Sequence, residues 1–289
     1  MPGTLSLILP ARNEAENLAR LLPKLRQYFP EAEILVVDDA STDETARIAE
    51  QSGAVVLHHP YRLGNGAAIK TGARQARGEI LVFLDADGQH TPEDIPRLLE
   101  KLEEGYDMAV GARQRGSQTN AARGLANRVY NLLASYMTGQ RILDLTSGFR
   151  AARAEKFRQF LYLLPNGFSY PTTITMAFFR AGYSVAYVPI HASPRQGKSH
   201  IRPLRDGVRF LVIIFRIGTL YAPIKLFGPV SFLLFISGLG WYLHTFWTQG
   251  RFTNMSALLF TASLLVFLMG LISEQITLLL YKDSNRQAP

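Results

Sequence analysis

EILVFLDADGQH, residues 79–90, is the stretch on which the fold turns. The apolar run Ile80–Leu84 is followed by Asp85 and Asp87, one residue apart, and then by a glycine. A short apolar run rich in β-formers and closed by a turn signal reads as a buried strand. With Asp85 at its end and Asp87 two positions on, strand alternation returns both carboxylates to one side. Two like charges so close repel unless something positive lies between them.

The same design repeats outward from this strand. LSLILPA (5–11), EILVVDDAS (33–41), AVVLHH (54–59) and DMAVGAR (107–113) read as strands. Between them, 13–29, 41–53, 66–78 and 91–105 have helical spacing, with Leu18, Leu21, Leu22 and Leu25 on one side of the first. Strands separated by helices predict right-handed βαβ units and a parallel sheet covered on both faces. In such sheets ligands bind beyond the carboxyl ends of the strands. Three of those ends carry distinctive polar residues: PARNE, DDASTD and DADGQH. Beyond 114, GLANRVYNLLASYM reads as a helix, followed by DLTSGFRAARAEKF and a loop, SPRQGKSH.

Charge is divided along the chain. Residues 1–110 hold 11 Lys/Arg against 18 Asp/Glu, and residues 111–289 hold 20 against 5, within a total of +8. A uniform nucleic-acid binder is not built this way, and nucleic acid is excluded as the expected partner. An acidic half and a basic half point to two differently charged ligands, or to one metal site and one anionic surface. Zero cysteines exclude disulfides and thiolate metal sites.

Residues 226–247 and 255–273 contain no Asp, Glu, Lys or Arg. At ~1.5 Å rise per residue, each is long enough to cross a bilayer core of ~30 Å. The basic and apolar stretch 201–221 reads as an amphipathic helix along the membrane surface. The expected domains are therefore residues 1–200 as catalytic unit, 201–221 as juxtamembrane helix and 222–289 as a two-helix membrane hairpin. The first residues lack the basic and apolar regions of a signal peptide. Arg216, Lys225, Lys282 and Arg286 flank the spans, against Arg251 alone in the linking loop. Both features place the catalytic unit on the cytoplasmic face of the plasma or inner membrane.

Asp85, Asp87 and Gln89 offer oxygen donors at a spacing that suits Mg²⁺ or Mn²⁺, which takes further oxygens from a diphosphate. A cation with its ligand would relieve the paired carboxylates; a plain Asp-Gly turn is the alternative. Asp38 and Asp39 at the neighbouring strand end could grip the base and ribose of a nucleotide. Arg113, at a strand end on the ligand side, suits phosphate, whereas Arg128 suits a solvated helix face. His58, His59 and His191 have no metal-like spacing and read as structural. TSGFR (146–150) reads equally as support for the acceptor side or as direct contact, and Gly64–Gly72 as backbone that lets a nucleotide approach.

PARNEAEN, VVDDASTDET, LGNGAA, FLDADGQH, VGAR, DLTSGFRA and RQGKSH, in this order over residues 4 to 200, resemble a family 2 glycosyltransferase of GT-A fold. Within it they are similar to the polyprenyl-phosphate branch that includes dolichol-phosphate mannose synthases, whose bacterial members also carry two C-terminal spans. The resemblance implies a Rossmann-like, mostly parallel sheet and transfer of a sugar from a nucleotide-sugar, of GDP-mannose or UDP-glucose type, to a polyprenyl phosphate. It implies that Pro10, Arg12, Glu14, Val37 and Asp39 line the nucleotide pocket. Asp85, Asp87 and Gln89 would hold the metal, with Ala86 against the sugar-nucleotide. Arg113 and Arg123 would bind the acceptor phosphate with Asn127 beside them, where some relatives have Ser. Arg195, Lys198 and Ser199 would close over the diphosphate. The family loop often ends Ser-Lys; here it ends Ser199-His200, leaving Lys198 as the substitute cation. The rival readings are a processive polysaccharide synthase, whose Q-x-x-R-W motif is absent, and a non-catalytic sugar-nucleotide-binding scaffold or flippase partner. A homo-oligomer stays open.

Overall fold

The structure, a computed structural model, describes residues 3–113, 121–167, 169–190, 215 and 218–282. Packing divides the chain into two units, residues 1–200 and 201–289. The first runs β1 (Leu5–Ala11), α1 (Ala15–Tyr28), β2 (Glu33–Asp38), α2 (Thr45–Gln51), β3 (Val55–His58), α3 (Asn65–Gln75), β4 (Ile80–Phe83) and α4 (Ile95–Glu103). It continues through β5 (Met108–Arg113), α5 (Ala121–Thr138), β6 (Arg150–Arg153), α6 (Ala154–Arg158), α7 (Tyr170–Arg180) and β7 (Val185–Ile190).

The seven strands form one sheet in the order β3-β2-β1-β4-β6-β5-β7. Leu7, Leu9, Ile34, Val36 and Val82 from its strands and Leu18, Leu22 and Leu25 from α1 share one hydrophobic core. The expected parallel sheet holds for β1–β2, β1–β4, β2–β3 and β5–β7. It fails at β6, which is wedged antiparallel between β4 and β5. Its sequence, Arg-Ala-Ala-Arg, lacks the branched and aromatic side chains that mark a strand. Ala151 and Ala152 are fully buried, so their small size serves the packing on this strand. β7 went unassigned from sequence as well. Pro189 lies within it, which an edge strand tolerates because one side of its backbone makes no ladder.

A second correction concerns the opening stretch. β4 ends at Phe83, and residues 86–87 form a turn closed by Gly88 at φ +71°. Strand alternation therefore does not set where Asp85 and Asp87 face. The loops after β1 and β2 are zipped together. The backbone N–H of Asn13, Glu14 and Ala15 donate to Ser41 Oγ (3.0 Å), Thr45 Oγ1 (2.9 Å) and Asp43 Oδ2 (3.2 Å). Thr42 N–H returns a bond to Asn13 Oδ1 at 2.8 Å.

Ala40, between Asp39 and Ser41, sits in the left-handed region at φ +57°. An alanine there carries strain of roughly 1–2 kcal/mol that a glycine would not. Ala40→Gly is expected to stabilise the unit by about 1 kcal/mol after the added chain entropy of glycine. A thermal melt should show Tm about 3 °C higher, and a lower Tm would refute it.

The second unit holds α8 (Pro223–Gln249) and α9 (Asn254–Lys282), which contain the two uncharged stretches. Their mean hydropathy is 1.6 and 2.3, and only 11% and 17% of their most apolar windows are buried. A core helix of a soluble protein would be mostly buried; these two are long and apolar enough to cross a bilayer and expose Phe232, Leu233, Leu258 and Leu279. They are joined by a reciprocal pair. Ser231 Oγ donates to the Ser263 carbonyl (2.9 Å), and Ser263 Oγ donates to the Ser231 carbonyl (2.8 Å). Interhelical bonds of this kind contribute ~0.6 kcal/mol on average in a membrane.

Candidate active site

The carboxyl ends of β1, β2, β4 and β5 lie along one edge of the sheet, and β6 begins there. Pro10 pairs with Val37 across β1 and β2, and Asp39 N–H donates to the Ala11 carbonyl at 2.9 Å. Arg12 is exposed, and Glu14 stands at the N-terminal end of α1, its carboxylate accepting from the Asn17 side-chain Nδ2 at 2.6 Å. Val37 departs from its expected role: it is fully buried inside β2, so its side chain has no surface to line a pocket. Ala86, within the acidic turn, is also buried.

Asp39 has work that the sequence did not announce. Its Oδ1 accepts from Leu63 N–H (2.7 Å) and His59 Nδ1–H (2.9 Å), and its Oδ2 from Gly64 N–H (2.9 Å). His59 Nε2 lies 3.0 Å from Thr71 Oγ1, which agrees with a structural histidine. Burial alone would raise the Asp39 carboxyl, but His59 and the two backbone donors bring it below the usual range. The loop thus held, Leu63–Gly66, approaches the 164–167 backbone closely. Gly64 has φ +103°, and a Cβ there would meet the Asn166 carbonyl oxygen at 2.5 Å. A Cβ on Gly66 would meet the Pro165 carbonyl oxygen at 2.0 Å. Those glycines serve backbone contact within the protein, where a nucleotide approach was expected.

The acidic turn lies beside β6. Gln89 N–H donates to Asp87 Oδ1 at 3.2 Å, closing the turn. A Cβ on Gly148 would stand 3.0 Å from Asp85 Oδ2, so this carboxylate packs directly on the lead into β6. His90 is 7% exposed and stacks on Phe149 (centroids 4.9 Å, 13°). Burial pushes it down to about 4, so it is neutral at pH 7, and its Nδ1 has no hydrogen-bond partner among the described residues.

Arg113, at the end of β5, is gripped by Asp144. Its Nε donates to Asp144 Oδ2 (2.7 Å) and its Nη2 to Asp144 Oδ1 (2.9 Å) and Thr146 Oγ1 (2.6 Å). Burial would raise the Asp144 carboxyl; the guanidinium and the N–H of Arg113 and Thr146 hold it below the ordinary range. Asp85 adds to the field that stabilises the Arg113 cation. The sequence missed Asp144, although a signal existed: it is one of only five acids after residue 110. Arg195, Lys198, Ser199 and His191 lie outside the described residues, as do the side chains of Arg123 and Asn127 on α5. Arg128 is exposed, as expected of a solvated face.

Among the described residues no three His, Asp or Glu side chains come together as a metal site. Two carboxylates and an amide oxygen fit a hard divalent cation that completes its shell from water and a diphosphate, and they do not fit zinc.

Comparison with known proteins agrees with this architecture. Residues 6–161 match the model of glycosyl transferase family 2, and residues 222–279 match that of the GtrB C-terminal hairpin. Glycosyltransferase AglJ of Haloferax volcanii is 30% identical over 95% of this chain and 94% of its own. An undecaprenyl-phosphate mannosyltransferase of Micrococcus luteus is 36% identical over 63% of this chain and 81% of its own. The crystal structure of glucosyl-3-phosphoglycerate synthase from Mycobacterium tuberculosis, in complex with Mn²⁺ and UDP-glucose, superposes with TM-score 0.55. It is 27% identical and covers 72% of this chain and 75% of its own. With residues 6–161 matching that family's model and a relative 30% identical over nearly its whole length, the chain belongs to glycosyltransferase family 2 and is a glycosyltransferase.

Proposed function

We propose that this enzyme transfers a sugar from a nucleotide-sugar to a polyprenyl phosphate, at the cytoplasmic face of a membrane that α8 and α9 cross. The observation that carries this is an acidic turn just beyond β4 and a phosphate-type cation at the end of β5, strand ends on one edge of the sheet with the start of β6 between them. The likeness to an undecaprenyl-phosphate mannosyltransferase supports the acceptor class. In this reading residues 1–200 are catalytic, 201–221 lie along the membrane and 222–289 anchor.

Asp85, Asp87 and Gln89 would hold Mg²⁺ or Mn²⁺, and the cation when bound would neutralise the departing diphosphate. Pro10, Arg12 and Glu14 lie on the nucleotide side, with Asp39 shaping that side through the Leu63–Gly64 loop. Arg113 binds the acceptor phosphate, with Arg123 and Asn127 beside it, while Arg195, Lys198 and Ser199 close over the diphosphate. A lipid phosphate is already an anion at neutral pH and needs little help from a general base. The difficulty is to bring two anions together, and clustered Arg and Lys meet it electrostatically. The reaction is a single in-line displacement at the anomeric carbon, with inversion.

The test is a panel of radiolabelled sugar-nucleotides incubated with membranes carrying the protein, Mn²⁺ and polyprenyl phosphate. Label should enter the lipid extract from one donor and vanish with EDTA. Label that stays in the aqueous phase with every donor refutes the reading.

A further inference from the structure

Arg150 of β6 is a cation with no solvent exposure. Burying a guanidinium without a contacting carboxylate is unfavourable by several kcal/mol, and an apolar side chain of similar volume would avoid that cost. Among the described residues its contacts are carbonyls, a hydroxyl and a thioether: Nη2 donates to the Ser147 carbonyl, and Nη1 to the Pro171 carbonyl (3.2 Å), Thr175 Oγ1 (3.2 Å) and Met108 Sδ (3.8 Å). The guanidinium also stands 5.8 Å over the Tyr170 ring. One side chain therefore binds the turn before β6 to the first turns of α7.

Both segments that it joins touch the site. On one side of Ser147, Asp144 and Thr146 grip Arg113. On the other side, Gly148 forms the wall against Asp85, and Tyr170 Oη–H donates to the Gly148 carbonyl at 3.2 Å. We propose that Arg150 is a positioning residue: its planar fork fixes the 144–148 turn, and so sets the places of Asp85 and Arg113 relative to each other. A lysine would keep the charge but could not bond Ser147, Pro171 and Thr175 together. The cation is retained for its geometry.

The proposal rests on the divalent-metal reading above, and its test separates the two. Mn²⁺ is titrated into the full-length protein with a nucleoside diphosphate present, and free Mn²⁺ is followed by electron paramagnetic resonance. Arg150→Lys is expected to bind Mn²⁺ about 10-fold more weakly than the native chain, as second-layer changes at metal sites do. Gly148→Ala, which crowds Asp85 and leaves Arg150 intact, is expected to lose a similar factor. Should Arg150→Lys not fold, Thr175→Val removes one acceptor of the fork in nearly the same shape and should weaken Mn²⁺ several-fold. Native affinity in a folded Arg150→Lys, or in Thr175→Val if that is the variant read, overturns the role of Arg150. A native chain that binds no Mn²⁺ overturns the metal reading itself and the proposal with it.

Discussion

Purified Asp87→Ala is expected to transfer sugar on the order of 10³-fold more slowly than the native chain, the scale seen when one preorganised electrostatic group is removed from an active site. The melt should be unchanged within a few degrees. Asp87 is half-buried in a turn, where its Oδ1 accepts from Gln89 N–H at a long 3.2 Å. In the proposed reading the carboxylate supplies negative charge for the bound cation. Its removal should therefore leave the reacting protein without half of its acidic donors. Transfer within tenfold of native would dismiss Asp87 from the chemistry.

Arg113→Ala should damage both activity and stability. Asp144 is 6% exposed, and its two oxygens face the Arg113 fork. Removing one partner of a buried pair leaves the other charge uncompensated and costs about 3–5 kcal/mol. The Arg113 side chain is 25% exposed, which puts the expected loss near the lower bound, roughly 3 kcal/mol or 10 °C in Tm. Transfer should fall at least 10²-fold, with the defect seen in use of the acceptor rather than the donor. The pH dependence has a definite sign. The folded Asp144 carboxyl lies below its unfolded value of ~3.9, so the pair's contribution is complete above that pH and fades as pH falls through the lower, folded value. In Arg113→Ala the deficit should accordingly be full at pH 7 and shrink as pH falls, because the unpaired Asp144, left to the burial that raises its carboxyl, takes up a proton. Parallel melting curves for the two proteins from pH 7 to pH 3.5 would contradict the pairing.

Much of this was legible in the sequence because the relevant signals are local. The α1 stripe of Leu18, Leu21, Leu22 and Leu25 is buried as its spacing predicts, and the acidic motifs fall at the ends of β1 and β2 and just beyond β4. What escaped was set by tertiary contact. Arg-Ala-Ala-Arg carries no strand signature because its alanines are chosen by the space between β4 and β5. The bonds that Asp39 makes to Leu63, Gly64 and His59 could not be read from sequence, because those partners are 20 to 25 residues away. Asp144 was passed over because its partner Arg113 is 31 residues distant. Val37 fell to the reverse error, since a residue near a strand end need not reach the surface.

The wedged β6 has a consequence for any shortened form of the chain. Because it hydrogen-bonds to β4 on one side and to β5 on the other, residues 1–113 cannot complete the sheet by themselves. A fragment ending there would leave β4 a raw border open to intermolecular pairing.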